Sequence, residues 1–473
     1  MRPARWPGSV VFPVAPLVAL VLLSASISAQ TLTPPQQFAH DVYRELIEIN
    51  TVTPTGDTGQ AADAMAAHLR AAGFPESDVQ VFKPAPRKGN LVARLHGTGA
   101  RKPILLVAHL DVVEARREDW SFDPFKLVEK DGYYYGRGTG DDKFMAAVFV
   151  SNLVRYKQEG FRPDRDIILV LETDEEIGDR NGVGIQWLIK NHRDLIDAEF
   201  ALNEGGNVGL RNGKALRNSI QTSEKVFADY TFEVKNSGGH SSIPSKDDAI
   251  YHLAGGLSRL AQFEFPIKLN ATTRAWLEEA SSFEDKQIGA DMLSVASGRP
   301  DLAAVARLSA LPAYNAQLRT TCVATLLEGG HADNALPQKA QATINCRVLP
   351  GESLDEVQQT LVRVVADEHI SVAPAELDAQ SPPSPLKPEI MGAIRQVTAE
   401  LWPGIPVIPI MSTGASDGSF LRNVGIPVYG TSGRANDIDD VRAHGKDERT
   451  SVKSFYDGQH YLYRLVKLLA SAK

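Results

Sequence analysis

This 473-residue sequence predicts an α/β architecture in which an inserted α+β segment interrupts a mainly parallel sheet. Three observations point there. Short apolar runs ("NLVARL", "PILLVAHLDVV", "DIILVLETD", "AEFALNEG") recur at helix-sized intervals, separated by amphipathic stretches such as "KFMAAVFVSNLVRYKQEG" and "VGIQWLIKNHRDLI". Strands apolar along their whole length belong to parallel sheets, whose two faces are covered by helices. Near Ser219 the pattern changes: "VFADYTFEVKNSGG" alternates as a strand with one wet face does, and the helix-patterned "DDAIYHLAGGLSRLAQF" follows. The length also exceeds one ordinary core, so more than one domain is expected.

Taken in order, residues 1–29 read as a signal peptide. Arg2 and Arg5 precede an apolar run from Val10 to Leu23, and small residues lead to a cleavage position after Ala29. The run is short for a membrane span and contains Pro13 and Pro16. The expectation is an exported chain, periplasmic or extracellular, with no stable membrane insertion after the leader is removed. Residues 30–218 then form the first part of the main domain, beginning with two helices between Thr33 and Gly73. The insert spans 219–350, including a polar helical region up to Ala310, and 351–473 returns to the main domain. Hydrophobic residues make up 43% and charged residues 23%, as in soluble globular proteins. A formal net charge of -8 with no basic stripe excludes a nucleic-acid surface. Only Cys322 and Cys346 are present, on strand-like runs flanking "EGGHADNALP"; a disulfide across a hairpin and two unpaired thiols both remain open.

The ionisable residues gather at strand ends. "LLVAHLDVV" places His109 and Asp111 two apart, on one face of a strand. "TDEEIG" ends the next strand with Asp174, Glu175 and Glu176, and "ALNEGG" ends a third with Glu204. In open α/β sheets these ends form the ligand crevice. The loop "GRGTGDDK" lacks the third glycine of a dinucleotide motif, and Asp141 and Asp142 would repel a phosphate. Packed like charges at a strand end are unfavourable unless a cation lies among them or one holds a proton. Histidine nitrogen with carboxylate oxygen suits zinc, with cobalt or manganese as substitutes.

The ordered motifs "HLDVV", "GRGTGDDK", "TDEEIG", "NEGG", "GGHSSIP", "NALPQKAQATINCRVLPGES" and "AHGKDER" resemble the dinuclear-zinc aminoacylase/carboxypeptidase family, in particular its carboxypeptidase S-like branch. The resemblance runs from about Phe38 to the C-terminus. It implies a catalytic domain with an inserted lid/dimerisation domain and two zinc ions per subunit. Asp141 would bridge the ions, with His109 and Glu204 completing one site and Glu176 and His444 the other. Asp111 would orient the His109 ring, Glu175 would act as general base, and the peptide bond after Asp141 would be cis. His240 would hydrogen-bond the carbonyl oxygen, in its own chain or a partner's. Asn334, Arg347 and the loop at Gly414 would bind substrate. The resemblance assigns no duty to Asp174, whose place at a strand end reads as a turn or capping role. Glu at position 204 goes, in the family, with members acting on N-acyl amino acids or carboxyl-terminal residues. The implied substrate is a small N-acyl amino acid or short peptide. Alternatives are a free-amine dipeptidase or aminopeptidase, and a noncatalytic binding protein on the same fold. A homodimer through the insert is implied unless the enlarged stretch Leu253–Ala316 covers that surface.

Overall fold

The computed structural model describes residues 31–53 and 55–471, so the leader-like stretch 1–29 lies outside the described residues. Among them, the larger sheet has ten strands. Their order is Val79–Ala85, Lys88–Leu95, Ile167–Glu172, Ile104–His109, Phe200–Asn203, Val428–Gly430, Lys214–Glu224, Val208–Arg211 and Ala435–Asp437, with Val407–Ser412 also paired to Lys214–Glu224. The centre is parallel: Ile104–His109 lies between Ile167–Glu172 and Phe200–Asn203, and the latter pairs with Val428–Gly430.

Both long central strands are buried throughout, which explains their unbroken apolar sequence. Successive side chains point to opposite faces. Ile104, Leu106 and Ala108 therefore join the core under helices Pro34–Glu48, Lys143–Gln158 and Val452–Leu469, whereas Leu105 and Val107 meet Ile185 and Leu188 on the other side. Truncating one of these, as in Leu106→Ala, would cost about 2–5 kcal/mol. With both faces covered, the open ends of the strands are where polar residues reach solvent.

The second sheet is antiparallel, ordered Thr321–Gly329, Lys339–Val348, Val226–Lys235 and Ile370–Leu377. Val226–Lys235 alternates buried and half-buried positions, and helices Ala249–Gln262 and Leu354–Val365 cover its apolar side. The expected insert of 219–350 is thus displaced at both ends. Ser219–Glu224 completes a strand of the large sheet, and the stretch after 350 adds a helix and an edge strand to the small one. That edge strand is largely exposed and contains Pro374, so it lacks the apolar alternation that marks a strand in sequence.

The helices from Ala271 to Leu318 pack through Leu277, Met292 and Leu318 against Ile408 of the large sheet. They leave the lid's other edge strand bare, with Val323, Leu326 and Leu327 exposed. Cys322 and Cys346 face each other across the hairpin and are disulfide-bonded. No helix of the described residues is long and apolar enough to cross a membrane.

Candidate active site

Three parallel strands deliver the site. His109 ends the first and is 1% exposed. Beyond the second, Asp174 adopts the left-handed conformation (φ 70°) and starts the short turn Glu175–Ile177. That conformation is tolerated by aspartate. Asp174 is buried, ion-paired with Lys88 and bonded to Asn181 Nδ2 (2.9 Å), so its capping position is also an anchor for the turn. The third strand ends immediately before Glu204.

Asp111 works differently from the sequence expectation. The His109 Nδ1 nitrogen meets the main-chain carbonyl of Asp111 at 2.9 Å, while the nearer carboxylate oxygen is 3.7 Å away. The carboxylate instead accepts the N–H groups of Glu175 (3.2 Å) and Glu176 (3.1 Å). One residue thus fixes both the histidine ring and the acidic turn facing it.

The loop Gly136–Asp142 carries Asp141. Gly138 has φ 87°, a conformation that favours glycine, and a Cβ at Gly140 would displace the Arg434 guanidinium. Glu448 accepts from Gly140 N (2.7 Å) and Gly138 N (3.2 Å) and pairs with Arg137 Nη1 at 2.6 Å, both side chains being 2% exposed. Arg137 Nη2 also donates to the carbonyls of His444 (3.3 Å) and Gly445 (3.1 Å). The Arg137–Glu448 pair therefore ties the Asp141 loop to the His444 loop. The Asp141–Asp142 peptide bond is cis.

Asp141 lies between two histidines. One oxygen is 3.1 Å from His109 Nε2 and the other 3.2 Å from His444 Nε2. His444 Nε2 is 3.0 Å from Glu176 Oε2. His109 Nε2 is 4.0 Å from Glu204 Oε2 and 3.9 Å from Glu175 Oε2. Burial pushes the Glu175 and Glu204 carboxyls well above the usual range, and neighbouring carboxylates add to it. Burial alone would lower His109, but the hydrogen bond to Asp141 and the charges of Glu175 and Glu204 raise it. His444 is pushed up to about 10 by Asp141 and Glu176. These shifts reflect the close packing of buried carboxylates around the two histidines. The donor set fits two cations: His109 and Glu204 stand toward one oxygen side of Asp141, and His444 with Glu176 toward the other, an arrangement suited to borderline divalent ions.

Beside this cluster lies a cleft of about 430 Å³ whose lining includes Glu175, Glu176, His444, Phe227, Arg347 and Gly414. Arg347 rests over the Phe227 ring (4.8 Å to the centroid). Among the described residues no carboxylate lies within ion-pair distance of it. Gly414 is at the wall, but its N–H is donated to Ser412 Oγ (3.1 Å) and so is not free for a ligand. His240 and Asn334 neighbour one another on the lid, where Ser241 N donates to the Asn334 carbonyl (3.0 Å). Both are exposed and neither lines the cleft.

Residues 105–468 match the model of peptidase family M20/M25/M40. The chain belongs to that family. It is 29% identical over 374 residues to the human N-fatty-acyl-amino acid synthase/hydrolase PM20D1, covering 77% of this chain and 74% of the relative. It is 28% identical over 380 residues to the Dictyostelium discoideum protein named "Probable carboxypeptidase S-like 2", covering 77% and 71%. Among solved structures, an M20 family metallo-carboxypeptidase from Sulfolobus solfataricus superposes with a TM-score of 0.66 at 17% identity, covering 91% of this chain and 99% of the other. The Bacillus subtilis YXEP protein, described as a dinuclear metal binding peptidase of the M20 family, gives 0.59 at 11% identity over 92% and 98%. The M20 chain described here is therefore a metal-dependent hydrolase of the metallopeptidase/amidohydrolase type.

Several buried groups behind the site have no role assigned from sequence. Glu172 accepts from Ile185 N (2.9 Å), and burial, reinforced by Asp417 and Asp111, raises its carboxyl. Asp417 is held by Asn203 Nδ2, and its carboxyl is pushed up to about 6 by burial. Glu224 pairs with Arg422 (2.7 Å) and accepts from Ser416 Oγ (2.7 Å), bracing the loop that forms the cleft wall. Glu172 was visible in "LETDEEIG", but nothing local marks it as buried; the other pairings join distant segments.

Proposed function

We propose that this M20 enzyme is a dinuclear zinc amidohydrolase that releases an amino acid bearing a free α-carboxylate from an N-acyl amino acid or a short peptide. One observation carries the reading: Asp141 turns one oxygen to each of two histidines, with Glu175 and Arg347 lining the adjoining cleft. His109, Asp141 and Glu204 would hold one ion, and His444, Asp141 and Glu176 the other, with cobalt or manganese as substitutes. Bound there, the ions supply Lewis-acid polarisation of the scissile carbonyl and lower the pKa of water from about 15.7 toward roughly 7.

The protein's own groups do the rest. Glu175 takes the proton of the attacking water at a carboxylate oxygen and returns it to the leaving nitrogen. The Asp111 carboxylate, bonded to the N–H groups of Glu175 and Glu176, keeps the base and its neighbouring ligand in register. Arg347, without a carboxylate partner of its own, offers its fork to the substrate's α-carboxylate while Phe227 supports its plane. With the Gly414 N–H already used, that loop shapes the wall and leaves carboxylate binding to Arg347.

His240 and Asn334, outside their own cleft, would serve the carbonyl oxygen of a second subunit. The bare lid strand with Val323, Leu326 and Leu327 supports such a homodimer. The named activity of PM20D1 favours N-acyl amino acids as the substrate class. Export, expected from the leader-like stretch, accords with the Cys322–Cys346 bond, which persists in oxidising compartments.

The test is amino acid release by the zinc-loaded mature chain from N-acyl amino acids, free-amine dipeptides and C-amidated versions of both. The reading expects release from N-acyl amino acids and little from amidated ones. Release confined to free-amine dipeptides would overturn the substrate class.

A further inference from the structure

The lid holds a second group of histidine and aspartate side chains, remote in sequence from the cleft ligands. His252 lies on helix Ala249–Gln262, just after Asp247, and Asp367 and His369 occupy the turn between Leu354–Val365 and Ile370–Leu377. Asp367 binds both rings, with one oxygen 2.7 Å from His252 Nδ1 and the other 3.0 Å from His369 Nδ1. The rings lie side by side, centroids 4.2 Å apart at 32°. His252 Nε2 is 3.3 Å from Asp247 Oδ1. One ligating atom from each of Asp247, His252 and His369 falls within 4.8 Å of the others.

We propose that this is a separate metal site, in which His252, His369 and Asp247 hold a zinc-class divalent ion and Asp367 orients the two rings. Three physical points support it. A carboxylate that accepts Nδ1–H from a histidine fixes the tautomer whose Nε2 carries the ligating lone pair, and here one carboxylate does so for two rings. Donors about 2.0–2.2 Å from a tetrahedral zinc stand roughly 3.3 Å apart, the spacing between His252 Nε2 and Asp247 Oδ1. Two imidazolium rings with centroids 4.2 Å apart would repel, whereas two neutral rings on one ion do not. His252 and Asp367 are mostly buried, with side-chain exposures of 19% and 16%, so the part that orients the site is built into the lid, and Asp247 stands open at its rim.

An ion there would add a link between helix Ala249–Gln262 and the turn before Ile370–Leu377, which already meet through Arg259 and the Val365 carbonyl and through packing of Leu253, Val365 and Ile370. Asp247 closes the loop that bears His240, and Asn236 Nδ2 donates to its Oδ1 (2.7 Å) from the loop's other end. The site would therefore stiffen the His240 loop against the turn preceding the lid's inner edge strand.

Zinc bound per full mature chain, counted by equilibrium dialysis at roughly micromolar free zinc, tests this. The samples are wild type, His252→Ala/His369→Ala, the cleft variant His109→Ala/His444→Ala, and the combined variant. The expected result is one zinc fewer in the lid variant than in wild type, and one retained zinc in the cleft variant that disappears in the combined one. Because the lid ion is counted against the cleft variant, failure of the catalytic reading would leave this count intact. Equal zinc in wild type and lid variant overturns the proposal. If the double lid variant loses its cooperative melt, Asp247→Asn replaces it: a loss of at least tenfold in lid zinc affinity is expected, and unchanged affinity overturns the site.

Discussion

At the cleft, His109 is 1% exposed, and the residues around it are locked by main-chain contacts: Asp111 to the acidic turn, Glu448 to the glycine loop. On the lid, His240 is exposed and its Nδ1 meets the hydroxyl and N–H of Ser242. The first region has its geometry set by strand ends and buried ion pairs before any ligand arrives, which is what electrostatic preorganisation requires. The second presents its polar groups to the outside. Arg347 stands between them, carried by the lid but lining the cleft.

The largest effect that would break this contrast concerns the shared ligand. Asp141→Asn should strip metal from both halves and lower turnover by ~10³-fold or more, since metal chemistry supplies several kcal/mol of transition-state stabilisation. Retention of both ions, seen by elemental analysis, would show that Asp141 does not bridge.

Next comes the buried pair beneath the site. Arg137→Met leaves Glu448 without its counter-charge at 2% exposure, held only by the N–H groups of Gly138 and Gly140, and should destabilise the fold by about 3 kcal/mol in denaturant titration. A loss under 1 kcal/mol would mean that the two loops are not joined through it.

Arg347→Ala should raise KM about 30-fold on free-carboxylate substrates, the equivalent of ~2 kcal/mol for a hydrogen bond to charge, with kcat nearly unchanged. Equal losses on C-amidated substrates would remove its role in carboxylate binding.

The last effect is a slope in pH at the junction of the two sheets. Burial, aided by Arg347, holds the Lys225 ammonium down to about 7 against an ordinary 10.5. Between those values the unfolded chain binds a proton that the folded chain has released. Stability attributable to Lys225 should therefore rise with pH from about 7 to 10.5, by up to ~1.4 kcal/mol per unit. In Lys225→Met that component should vanish, and an unchanged slope in urea titrations across this range would contradict it.

The parallel sheet was legible because strands buried on both faces leave unbroken apolar runs, against which His109, Glu176 and Glu204 stand out at the ends. The pairing of Cys322 with Cys346 was left open by sequence, since strand register decides it; the two lie directly opposite in the hairpin. The role of Asp111 was hidden for another reason. Its i, i+2 spacing from His109 fixes the face it occupies, but not that its carboxylate turns to N–H groups 64 and 65 residues further on. Arg137 and Glu448 are separated by 311 residues, and neither carries a local sign of the partnership. The lid's end at Leu377 was obscured by an exposed edge strand without apolar periodicity.

Metal content and turnover of Glu175→Gln, measured on one preparation with an N-acyl amino acid as substrate, test the central claim most directly. The account predicts two divalent ions per chain in the cleft and turnover reduced by about 10³-fold, the scale of a lost general base. Turnover near that of the parent with the cleft metal intact would contradict it.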